Sequence, residues 1–90
     1  MPDRSAKTRT VLLVEDEQDQ REALVEFLSW QDFAVVSFAS GRDAVDWIRD
    51  KPAPLDVAII DWHLPGVGGQ GVIACIRDRF PSLPVIVASG

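Results

Sequence analysis

The chain has 90 residues, of which nine are Lys or Arg and 14 are Asp or Glu, giving a formal net charge of −5 with 47% apolar residues. That is one domain with enough apolar side chains for a core, and its acidic balance gives no general pull toward nucleic acid or anionic membranes. Apolar runs fall well short of the roughly 18 residues a membrane span needs, and the single cysteine, Cys75, excludes an internal disulfide or a cysteine-based zinc site. With no secretory signal near the N-terminus, a reducing cytoplasm is the expected setting.

Residues 1–9 are polar and mixed in charge and read as a flexible tail, so the folded unit is expected over residues 10–90. Residues 11–14 (VLLV) form a continuous apolar run that stops at Glu15, Asp16 and Glu17. Such a run suits a strand covered on both faces. Helical spacing follows. Leu24, Phe27, Leu28 and Gln31 share a stripe flanked by Ala23 and Trp30, with Asp19 expected as N-cap and Glu22 completing a weak capping box.

Residues 33–38 (FAVVSF) read as a second strand, and Ser40 is placed to cap a second helix whose apolar face is Ala44, Val45 and Ile48. Pro52 and Pro54 end that helix. Residues 55–60 (LDVAII) form a third strand with Asp61 at its end, and a loop over residues 62–69 is punctuated by Pro65, Gly66, Gly68 and Gly69. A third helix is expected over about residues 70–80, with Val72, Ile73, Ile76 and Phe80 inward. Residues 85–88 make a fourth strand before Ser89 and Gly90. Trp30 and Trp47 are expected to complete the core, and Cys75 to pack mid-helix as a small apolar residue.

The β-α-β-α-β-α-β order implies an α/β fold, a parallel sheet with helices on its faces. In open sheets of this kind, ligands bind beyond the carboxyl ends of the strands. Glu15, Asp16 and Glu17 follow the first strand, Asp61 the third and Ser89 the fourth. If strands one and three are neighbours, Glu15, Asp16 and Asp61 converge. Unpaired carboxylates that close repel one another, and a bound Mg²⁺ removes the penalty. As isolated features, these acids would be ordinary helix-start and loop charges.

Taken together, residues 11–17 (VLLVEDE), 56–69 (DVAIIDWHLPGVGG) and 84–89 (PVIVAS) resemble the response-regulator receiver domain of two-component signalling. Arg21, five residues after Asp16, matches a position often basic in that family. The resemblance implies a flavodoxin-like doubly wound sheet in the order 2-1-3-4-5. It implies Asp61 as phosphoacceptor, Asp16 as a direct Mg²⁺ ligand, Glu15 as a ligand through water and the backbone carbonyl of His63 as a further ligand. Ser89 would be the hydroxyl that senses the phosphoryl group, and Pro65 and Gly69 would shape the loop. A sensor histidine kinase or phosphotransfer protein would be the donor.

The family domain carries a fifth strand, with a lysine and an aromatic switch residue, and two further helices. The lysines here are Lys7 and Lys51, neither at that place, so these 90 residues are expected to hold the acceptor and metal half of the site. Slow or undetectable phosphorylation, and self-association through an uncovered fourth strand or by element exchange, are expected in this form. The rival reading is a phosphorylation-independent interaction module.

Two other motifs are weaker. Residues 66–71 fit G-x-G-x-x-G, but residues 61–65 separate the motif from its strand, so the tight dinucleotide-binding turn is absent. A haloacid-dehalogenase-like phosphatase would need an acid two residues after its nucleophile, where His63 stands. Ser89 has no evident histidine partner for a hydrolase triad.

Overall fold

The VLLV segment forms the centre of the sheet. In the structure, a computed structural model describing residues 8–50 and 53–88, strand β1 (Thr10–Val14) lies between β2 (Ala34–Phe38) and β3 (Val57–Asp61), parallel to both. Strand β4 (Val85–Ala88) pairs with β3, so the order among the described residues is β2-β1-β3-β4. A strand paired on both edges and covered on both faces needs no polar alternation. Accordingly Val11, Leu12, Leu13 and Val14 are at most 1% exposed.

Parallel neighbours require crossover connections, here supplied by α1 (Gln18–Trp30), α2 (Gly41–Asp50) and α3 (Gly68–Arg79). On one sheet face, Leu12, Val14, Ala58 and Ile60 pack against Ala44, Val45 and Ile48 of α2 and Val72 and Ile76 of α3. Val11 and Leu13 alternate to the other face. There α1 contacts β1 and β2 and buries Leu28. This is the expected doubly wound, flavodoxin-like arrangement. Among the described residues, no helix is long and apolar enough to cross a membrane.

Local differences cluster in α1. Leu24 and Val25 are half-buried and Leu28 is buried, whereas Phe27 is 59% and Trp30 81% exposed. The inward stripe is centred on Leu24 and Leu28, one helical turn apart, and Phe27 falls about 100° behind Leu28. Trp30 therefore does not complete the core. Trp47 does reach its margin, tilted against Phe38 with ring centroids 5.8 Å apart. Nor is Asp19 the cap: Glu17 holds the N-cap position, its carbonyl accepting the Arg21 N–H at 2.9 Å, and Asp19 lies in the first turn. A carboxylate there still favours the helix dipole. Ser40 caps α2 as expected, its Oγ accepting the Asp43 N–H at 3.1 Å.

Candidate metal and acceptor site

Parallel pairing sets the carboxyl ends of β1 and β3 side by side, with Val14 opposite Ile60. Glu15 and Asp16 therefore leave β1 where Asp61 ends β3. One oxygen from each of Glu15, Asp16 and Asp61 lies within 4.8 Å of the other two. Burial is graded: Glu15 is buried, Asp61 half-buried and Asp16 exposed.

The backbone around these acids is held by named bonds. Glu15 donates its N–H to the Phe38 carbonyl at 3.1 Å, and its Oε2 accepts the Glu17 N–H at 3.1 Å. Arg21 Nη1 donates to the Glu15 carbonyl at 2.9 Å and to the Asp16 carbonyl at 3.4 Å. Asp61 Oδ1 accepts the His63 N–H at 3.0 Å, while the Trp62 N–H donates to the Ala88 carbonyl at 2.9 Å. The Arg21 guanidinium thus grips main chain. Among the described residues, no cationic side chain forms an ion pair with the three carboxylates.

Electrostatics follow from this geometry. Burial pushes the Glu15 carboxyl above its ordinary value of 4.5, and the negative charges of Asp61 and Asp16 push it further. The Glu17 N–H opposes the shift in part. A cluster that repels itself and offers only carboxylate oxygens suits a hard divalent cation. Two ligands on opposite sides of one Mg²⁺ stand about 4.2 Å apart, twice the usual metal–oxygen distance. The spacing of the three acids is of that size, so the residues fit such an ion.

The structure brings together three of the expected side chains: Glu15, Asp16 and Asp61. His63 is exposed and joins the site through its backbone, with its N–H directed at Asp61. Ser89 lies outside the described residues. Gly66 and Gly68 have φ of 71° and 78°, which turns the loop between Asp61 and α3. Sequence reading assigned Arg21 no physical role. Its available signal was a long cation one turn into α1, within reach of the preceding loop.

A family model described as the response regulator receiver domain matches residues 11–90. The chain belongs to that family. The receiver domain is 40% identical over 77 residues to the transcriptional regulatory protein CreB of Escherichia coli K12, a match covering 86% of this chain and 33% of CreB. It is similar in structure to a response regulator receiver protein from Sinorhizobium medicae, with TM-score 0.86 and 25% identity, covering 93% of this chain and 68% of that one. It is also similar to the response regulator TrrA of Thermotoga maritima in complex with Mg²⁺-BeF, with TM-score 0.81 and 26% identity, covering 91% of this chain and 70% of that one. The chain spans about a sixth to a third of the length of the curated relatives it matches.

Proposed function

We propose that this receiver domain takes a phosphoryl group onto Asp61 and thereby switches a signalling surface. The observation that carries the reading is the convergence of Glu15, Asp16 and Asp61 beyond the carboxyl edge of a parallel sheet. The donor would be a phosphohistidine on a sensor histidine kinase or phosphotransfer protein. An Asp61 oxygen attacks phosphorus, the phosphorus–nitrogen bond breaks, and the departing imidazole takes up a proton. Asp61 becomes an acyl phosphate.

Asp16, Asp61 and the His63 carbonyl would hold Mg²⁺ directly, with Glu15 holding it through water. That TrrA is solved with Mg²⁺-BeF supports this assignment. When bound, Mg²⁺ neutralises and aligns the charged phosphoryl oxygens. The His63 N–H holds one Asp61 oxygen and so orients the carboxylate for attack. Ser89 would donate its hydroxyl to the acyl phosphate, and the output would be a population shift between inactive and active surfaces. We read the domain as a cytoplasmic switch and not as a metabolic enzyme, and its acidic balance leads us to expect no nucleic acid or membrane contact by the domain itself.

Incubation with a small-molecule acyl phosphate and Mg²⁺, followed by intact mass, tests the reading. A single phosphoryl adduct is expected, absent without the metal and absent in Asp61→Asn. An adduct that persists in Asp61→Asn would place the acceptor elsewhere. For the 90-residue chain itself we also infer self-association through β4, which pairs only with β3 among the described residues and exposes Ile86 and Val87. Sedimentation at micromolar concentration should show a dimer or larger species. A folded monomer would refute it.

A further inference from the structure

The first turn of α3 rests against the main chain of the acceptor segment. A Cβ built on Gly69 would lie 2.7 Å from the Asp61 carbonyl oxygen, 2.9 Å from Trp62 Cα and 3.2 Å from the Trp62 carbonyl oxygen. All three are backbone atoms, so no rotamer change can relieve the contact. Gly69 is itself buried. Its role is therefore one of distance, because its φ lies outside the positive region that would demand glycine for conformation.

Gly71 offers an internal contrast. It lies two residues along the same helix, and a Cβ there would meet Val67 Cγ1 at 2.7 Å. That neighbour is a side-chain methyl on an exposed residue and can give way. Helix propensity favours Ala over Gly at both places. The two positions thus share chemistry, helix and substitution, and differ in what the added methyl would strike.

The structure assigns Gly69 as a positioning residue for Asp61: the absence of its side chain sets where the acceptor backbone lies. The inference rests on the proposed role of Asp61. Its reach follows from the next two residues. The Asp61 carboxylate is fixed by the His63 N–H, and the His63 carbonyl is a proposed ligand. A few tenths of an ångström at the Asp61 carbonyl and Trp62 would therefore displace two ligands together, leaving Glu15 and Asp16 in place just beyond β1. A site whose ligands must lie within about 0.5 Å of the productive geometry does not tolerate that.

The test compares Gly69→Ala with Gly71→Ala in two readouts, alongside denaturant stability to establish that each variant folds. The first is Mn²⁺ affinity by titration calorimetry. Gly69→Ala should weaken binding about tenfold, the usual size of a lost orienting contact, and Gly71→Ala should leave it within about twofold. The second needs no metal: hydrogen exchange of the His63 amide. Its protection should fall in Gly69→Ala and stay unchanged in Gly71→Ala. If Gly69→Ala fails to fold in plain buffer, it and the double variant Val67→Ala with Gly71→Ala are compared in concentrated sucrose, which favours the compact state, with the same expectations. Wild-type His63 protection in the Gly69 variant, or equal losses in both variants, would overturn the assignment. A wild-type chain that binds no Mn²⁺ would instead overturn the metal reading, and the exchange comparison would still decide the role of Gly69.

Discussion

Acids stand at both ends of this sheet, and they do different work. At the amino edge, Asp56 Oδ2 accepts the Thr10 N–H at 2.7 Å while the Asp56 N–H donates to the Thr10 carbonyl at 2.9 Å. That carboxylate closes a backbone ring between β1 and the start of β3. At the carboxyl edge, Glu15, Asp16 and Asp61 face one another. No cationic side chain among the described residues pairs with them. Residue type alone therefore does not mark a candidate site; what surrounds the carboxylates does.

Exchanging substitutions between the two edges should break this contrast if it is wrong. The largest effect is expected for Asp16→Asn, which removes a charge from a proposed direct ligand. Mg²⁺ affinity by calorimetry should fall about 10- to 100-fold, with little change in metal-free stability because Asp16 is exposed. Asp56→Ala should do the reverse. It leaves the Thr10 N–H without its acceptor at a half-buried site, which should cost about 1–2 kcal/mol in urea unfolding, with Mg²⁺ affinity unchanged. A loss of metal binding in Asp56→Ala would show that the two edges are coupled.

A smaller effect sharpens the electrostatic side. The folded-state pKa of Glu15 is raised from 4.5, mainly by burial. Below 4.5 the carboxyl is protonated in both states and carries no penalty. As pH rises toward the raised value, the unfolded chain releases its proton first and the native state binds more protons, so stability falls with pH across that window. Above it the penalty is complete. In chelator, Glu15→Gln should therefore be more stable than wild type at neutral pH, and the difference should vanish near pH 4. An advantage for Glu15→Gln that is constant with pH would point to packing instead. Smallest of all, Trp30→Glu should change stability by no more than about 0.5 kcal/mol, because Trp30 is 81% exposed. A larger loss would mean that α1 packs differently.

The strands were legible because β1 and β3 announce themselves, while their order came from the resemblance to the receiver family. VLLV and VAII are apolar runs that end abruptly in acids, and a parallel sheet then fixes which acids meet. Helix faces were less legible. Period alone could not place α1 in rotation, since Leu24, Phe27, Leu28 and Trp30 fit a stripe that the sheet uses only along Leu24 and Leu28. Main-chain geometry was illegible: the His63 N–H on Asp61, the Arg21 grip on two carbonyls and the missing room at Gly69 involve backbone atoms common to every residue. Glycine in a loop signals a turn, and nothing in the letter distinguishes a glycine needed for its dihedral from one needed for its size.

The central position of β1 has a consequence for synthesis. Residues 11–14 emerge from the ribosome before either partner, residues 35–38 on one side and 57–60 on the other. At about 5–20 residues per second, the second partner arrives several seconds after the first strand. During that interval an uncharged segment of high β-propensity stands exposed, a hazard for pairing between nascent chains. Glu15, Asp16 and Glu17 follow it directly. Flanking charges of this kind act as gatekeepers against such pairing. The acids proposed to bind a metal in the finished domain are thus also placed to guard the free edge of its central strand until β3 has been made.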